Sequence, residues 1–226
     1  MTGLCFDTYD WSGGREAMLR FGPDSGPIVI AALPLFEEAN RTRQFLVTIL
    51  RALAANGIAS VLPDLPGTGE SLLATQDSQL SQQRRAFSDL AQRLGANTYG
   101  ISIRSGAVLD THASLCGRWH LSPQSGRDLV RDLERTRATA TRDGPATDGE
   151  YAGNMLSASM LADLREAMPY DGQGATRIVR LDTDPRAADA SYAGSPLWRR
   201  AEPGNDIELA QTLAADISQW VASCEG

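Results

Sequence analysis

The chain contains no lysine: all 21 of its cationic side chains are arginine. Lysine-based Schiff-base catalysis is thereby excluded, because it needs a primary amine. Histidine is nearly as scarce. The only two, His112 and His120, fall well before the last third of the sequence. The three cysteines, Cys5, Cys116 and Cys224, are far apart, odd in number and without metal-ligand spacing, so a disulfide framework and a metal site are not expected and a reducing, cytoplasmic compartment fits. No cofactor is expected either. No window approaches the roughly 20 apolar residues of a membrane helix, and residues 1–7 lack the basic segment and apolar stretch of a signal peptide. A formal charge of −7 argues against a surface that gathers nucleic-acid phosphates. A small-molecule ligand or substrate and a protein partner remain compatible with this composition.

What is present is enough for one substantial core: 226 residues, 42% of them hydrophobic, a size at which a single domain is common. Apolar, β-prone runs alternate with amphipathic ones, the pattern of a mostly parallel sheet with helices on both faces. Residues 15–21 read as a strand, and the unbroken apolar run 27–33 as one buried on both faces. Residues 40–55 place Phe45, Leu46, Ile49, Leu50 and Leu53 at helical spacing, and Asn56-Gly57 ends that helix. Strands are expected over 58–65, 98–101, 117–121 and 177–181, with a helix over 82–94. Residues 125–170 break the rhythm with two helices around a soft stretch 141–149, and read as a lid inserted into the single domain spanning 1–226. A final helix from Asn205, with Glu208 three residues on as in a capping box, directs Ala210, Leu213, Ile217 and Trp220 inward.

Two turns carry the chemistry. Asp64-Leu65-Pro66-Gly67-Thr68-Gly69-Glu70-Ser71 follows one buried run, and Ser102-Ile103-Arg104-Ser105-Gly106-Ala107 sits between a strand and the helix-like Val108–Thr111. The second has the small-residue spacing of a nucleophile elbow, in which the positions two before and two after the apex must be small because strand turns sharply into helix. Ser102 and Gly106 supply that pair around Arg104. In the competing register Ser102 is the apex, but Arg104 then falls on the crowded position and Ser105-Gly106-Ala107 has no role, so the Arg104 register is preferred.

An acyl-transfer triad needs a histidine after the last strand to take the nucleophile's proton. Neither His112 nor His120 can reach that loop, and both read as packing or core residues. Asp182 and Asp184 stand at the end of the strand that commonly carries the triad acid, where solvated loop carboxylates are the simpler reading.

Beyond these α/β-hydrolase turns, the chain resembles the hydrolase-like proteins (type 2) associated with the exosortase A system, which accompany extracellular polysaccharide and protein-sorting loci in Gram-negative bacteria. Pro34–Arg43 is similar to that family's Pro-Phe-x-Glu-Glu-x-Asn-x-x-Arg, and Ser102–Gly106 to its Gly-Leu-Arg-Leu-Gly elbow, with serine for the first glycine. Trp119–Gly126, Glu150–Ser157 and Ser195–Trp198 resemble three further segments in the same order. The resemblance implies an α/β-hydrolase fold with a small helical lid, and an ester or thioester hydrolase whose triad is degenerate. Arg104, Ser105, Ser102, Glu37 and Glu38 become the elbow and pocket candidates for catalysis, and Arg104, Leu35, Asn40 and Trp198 the candidates for ligand binding. Two carboxylates in the loop that supplies an oxyanion-hole amide would repel a developing oxyanion, yet would suit the Arg104 guanidinium. The alternative is a catalytically inactive protein of the same fold that binds a small anionic ligand or a partner protein.

Overall fold

The computed structural model describes residues 4–140 and 147–226. In chain order the elements are β1 (Cys5–Trp11), β2 (Gly14–Phe21), β3 (Ile28–Ala32), α1 (Glu37–Ala55), β4 (Ala59–Pro63), α2 (Leu80–Leu94), β5 (Thr98–Ile103), β6 (Gly117–Leu121), α3 (Gly126–Ala140), the short hairpin β7 (Glu150–Tyr151) and β8 (Asn154–Met155), α4 (Ala158–Glu166), β9 (Ala175–Leu181), β10 (Ala190–Tyr192) and α5 (Ile207–Glu225). Eight strands form one sheet in the order β1-β2-β4-β3-β5-β6-β9-β10. The β1–β2 and β2–β4 pairings are antiparallel and all others are parallel.

Every residue of β3, β4, β5 and β6 is buried; β3 and β4 accordingly read as nearly continuous apolar runs rather than alternating ones, whereas β5 and β6 also bury the polar Thr98, Ser102, Arg118 and His120. One face is covered by α1 and α5 through Phe45, Leu46, Ile49, Leu213, Ile217 and Trp220. The other is covered by α2 and by α3 and α4 from the stretch between β6 and β9, through Phe87, Leu90, Leu129, Leu133, Leu161 and Leu164. The parallel strands point their carboxyl ends at one rim, where such architectures place ligands.

Several boundaries differ from the sequence expectation. α1 begins at Glu37, not Asn40, because Phe36 turns the chain at φ 60° and ψ −131°. Glu37 and Glu38 therefore belong to the first helical turn, where carboxylates meet the positive end of the helix dipole. α5 is capped one residue later than expected: the Asp206 side chain accepts from the Leu209 amide at 3.0 Å, and Asn205 instead reaches Thr48. β1 escaped notice because Tyr9 is its one buried residue, and β10 because it has three residues. Ser125 opens α3 as expected, accepting from the Asp128 amide. Of the soft stretch 141–149, residues 141–146 lie outside the described residues.

The largest difference follows the elbow. Arg104–Val108 is a single 3-10 turn, not the start of a long helix. Carbonyls that a helix would use internally are taken by arginines from outside: Arg84 donates to Val108 at 2.8 Å, and Arg118 to Asp110 and Ala113 at 3.2 and 2.7 Å.

Candidate functional site

Arg104 stands at the apex between β5 and the 3-10 turn, at φ 55°. That conformation costs a non-glycine residue about 1–3 kcal/mol and persists where the surroundings enforce it. What enforces it is contact across the rim: a Cβ on Gly106 would fall 2.6 Å from the Leu33 carbonyl oxygen and 2.7 Å from that of Ala32, so only glycine allows this approach. Phe36 after β3 and Ser122 after β6, at φ 60° and 47°, share the left-handed side. Three of the four described non-glycine residues at positive φ thus surround this rim; the fourth is Ala152 in the β7–β8 hairpin.

The guanidinium is held from two sides. Arg104 Nε donates to Glu38 Oε2 at 3.3 Å, and its Cζ lies 5.2 Å from the centre of the Trp198 ring. Glu37 does not take part; it pairs with Arg41 at 3.3 Å, and Arg41 also reaches the Trp198 carbonyl. Burial pushes the Glu38 carboxyl above its ordinary range, Arg104 pulls it down less strongly, and Asp132 adds to the rise. Although Arg104 is only 7% exposed, neither of its Nη atoms donates a hydrogen bond to a described residue. It lines a cavity of about 390 Å³ bounded by five arginines, three aspartates, Ser122, Gln124 and Trp198.

The serines are spoken for. Ser105 Oγ accepts the Leu35 amide at 2.9 Å, and Leu35 lies in the β3–α1 connection, the place from which this fold draws an oxyanion-hole donor. Ser102 is in β5, 1% exposed, and donates to Asp110 Oδ2 at 3.1 Å. The same oxygen meets His120 Nε2 at 2.8 Å, with Arg118 Nε 3.5 Å from Oδ1. Serine, aspartate and histidine are together, but the aspartate is central and the serine does not bond the histidine. The group is also sealed: Asp110 is 0% and His120 1% exposed. It is a core polar cluster that cannot act as a base on a substrate. His112 is exposed beside α2, its carbonyl accepting from Ser88 at 3.3 Å.

Asp182 is solvent-exposed, but Asp184 departs from the expected solvated carboxylate. Arg186 binds both its oxygens at 2.9 and 2.7 Å and Arg180 adds a bond at 2.9 Å. Chiefly through Arg186, its carboxyl is held well below the usual carboxylate range. No sequence signal marked Ser122 or Gln124, which also belong to this rim.

The four residues expected to bind ligand do not share a cavity. Arg104 and Trp198 line the one described above, whereas Leu35 and Asn40 line a separate cavity of about 430 Å³, together with the rest of the 33–36 segment. That second cavity is built on the Asp64–Ser71 turn. The Asp64 carboxylate accepts the Glu70 amide at 3.1 Å and Arg43 at 3.2 Å, and fills the space a Gly69 side chain would need. No group of three or more metal-ligating side chains occurs among the described residues, and no described helix is long and apolar enough to cross a membrane.

By sequence, the chain matches no protein-family model and no curated protein. Its fold has many solved counterparts. A haloalkane dehalogenase loop variant from Bradyrhizobium elkanii superposes with a TM-score of 0.64 at 12% identity, covering 99% of this chain and 98% of that one. The protein Est1E from Butyrivibrio proteoclasticus, with ferulic acid bound, gives 0.61 at 13% identity over 96% and 99%. The thioesterase domain from the curacin biosynthetic pathway gives 0.61 at 14% identity over 98% and 99%. The chain has the α/β-hydrolase fold, at sequence distances that leave its chemistry to be argued from its own residues.

Proposed function

We propose that this protein is an α/β-hydrolase-fold member of an exosortase or extracellular-polysaccharide system that binds a small anionic ligand at Arg104 instead of performing serine hydrolysis. The system assignment is supported by the five ordered sequence segments, and a cytoplasmic setting by three cysteines without a disulfide. Residues 125–170 would act as the lid of the single domain. One observation carries the binding reading: the apex holds a buried guanidinium whose Nη atoms have no hydrogen-bond partner among the described residues, while the Leu35 amide, in the loop that supplies an oxyanion-hole donor in this fold, is occupied by Ser105. A serine hydroxyl is a poor nucleophile without a positioned base, and the one buried histidine is committed to Asp110.

A second reading, hydrolysis of an ester or thioester through unusual residues, is favoured by Glu38, whose burial-raised carboxyl beside Arg104 could carry a proton. A fluorophosphonate probe followed by intact-mass measurement separates the two. The expected result is no adduct and no turnover of acyl esters or thioesters; stoichiometric labelling of Ser102 or Ser105 would sink the binding reading.

A further inference from the structure

The free polar atoms around the Arg104 cavity specify more than a charge. They belong to three side chains, each more than nine-tenths buried. Arg104, 7% exposed, presents two Nη groups that can only donate. Gln124, 3% exposed, has its amide nitrogen on Asp132 at 2.8 Å, so the buried Oε1 left without a partner can only accept. Ser122, 0% exposed, has an equally unpartnered hydroxyl that can do either. Arg104 and Gln124 are joined through the backbone, the Gln124 amide donating to the Arg104 carbonyl at 3.2 Å, and all three residues line one cavity of about 390 Å³. Groups left without partners in the interior are normally satisfied by something.

We infer that the cavity takes a monocarboxylate bearing a hydroxyl or amino group, its carboxylate on the Arg104 Nη pair and its donor on Gln124 Oε1 and Ser122. With Nε on Glu38, the remaining edge of the guanidinium is the NH1/NH2 fork, whose two parallel donors match a carboxylate. Of the five arginines around the cavity, Arg131, Arg135 and Arg186 pair with Asp128, Asp132 and Asp184, and Arg104 with Glu38; the single arginine in excess leaves charge for a monoanion rather than for a phosphate dianion. An apolar carboxylate would leave Gln124 Oε1 and Ser122 unpaired, which a buried site discriminates against. The inference rests on the binding reading above and names its ligand class.

Isothermal titration calorimetry at constant ionic strength tests it with four probes: gluconate, hexanoate of the same carbon length without hydroxyls, sorbitol with hydroxyls but no carboxylate, and inorganic phosphate. Gluconate should bind tightest, with hexanoate, sorbitol and phosphate each about tenfold or more weaker. Arg104→Gln should weaken gluconate about 10- to 100-fold, the range of a hydrogen bond to a charged group. Gln124→Met should narrow the gap between gluconate and hexanoate from both sides, weakening gluconate and tightening hexanoate, because no side-chain amide oxygen is then left unpaired. Should Arg104→Gln not fold, the wild-type ranking and Gln124→Met still decide. Phosphate or hexanoate binding as well as gluconate, sorbitol matching it, or no probe binding at millimolar concentration would each overturn the assignment. A serine adduct with fluorophosphonate alongside intact gluconate selectivity would overturn the non-hydrolytic reading alone.

Discussion

Two buried ionic clusters, one on each side of β6, are built to opposite specifications. On the α5 side, Asp216 accepts four hydrogen bonds, from Arg177 Nη2 and Tyr192 at 2.7 Å on Oδ1 and from Trp119 Nε1 and Arg177 Nε at 2.7 and 2.9 Å on Oδ2. Burial works against its charge, yet these donors more than offset that, and the carboxyl sits below its ordinary range. On the rim side, Arg104 uses one donor of its five, at 3.3 Å, and Glu38 beside it is pushed up by burial. A saturated cluster locks helix to sheet. An unsaturated one, on a strained backbone, holds donors in place for something else.

The comparison breaks first at Asp216. Asp216→Ala would strand a Trp119 Nε1 in the interior together with an Arg177 side chain only 28% exposed, and removing one partner of a buried pair costs about 3–5 kcal/mol; Arg177's residual exposure places this one near 3. Arg104→Gln should cost about 1 kcal/mol, the worth of one ordinary hydrogen bond, because Glu38 can take up a proton when its partner leaves. Urea unfolding of the two variants checks the contrast, and equal losses would mean that the rim pair is as structural as the other.

Gly106→Ala should come next, at about 1–3 kcal/mol, the usual cost of forcing an extra carbon into a packed site, since both neighbouring contacts are backbone oxygens that cannot swing away. A melting temperature unchanged from wild type would show that the apex does not need its close approach to β3.

The smallest effect is the pH dependence, and its sign differs between the clusters. The Glu38 carboxyl is raised, facing Arg104 from the apex, Asp132 from α3 and Arg41 from its own helix. Its ionisation therefore opposes folding, and wild type should lose stability relative to Glu38→Gln as pH rises from below the ordinary glutamate range through the raised value. Asp216 and Asp184 are lowered, so their contribution is complete above the ordinary aspartate range and is lost as pH falls through the depressed values. Denaturant titrations of the variants across the carboxylate range read both slopes, and parallel slopes would contradict the comparison.

The sequence reveals the centre of the sheet and the apex for a simple reason: β3 and β4 are buried on both faces, so their runs are almost wholly apolar, and the elbow's steric rule is local to Ser102, Arg104 and Gly106. The rest is not local. β1 stays hidden because one residue in seven faces the core. The early start of α1 depends on a positive φ at Phe36 that no residue type announces. Leu35 touches the elbow only through its backbone amide on Ser105, and Leu35 and Asn40 line a cavity other than the one Arg104 lines, which no motif announces. Gln124 and Ser122 become visible only when their unpaired atoms do.

The bond from the Leu35 amide to Ser105 Oγ also bears on the history open to this chain. Replacing Arg104 by serine would place a hydroxyl at the apex, yet the Leu35 amide would still be occupied by Ser105, and the buried His120 would still be held on Asp110. Vacating the amide, supplying a base and placing a nucleophile are separate substitutions, each without benefit until the others are made. Selection for acyl transfer has no single step to favour: drift can vary what the arginine holds, but no one substitution turns this apex into an acyl-transfer site.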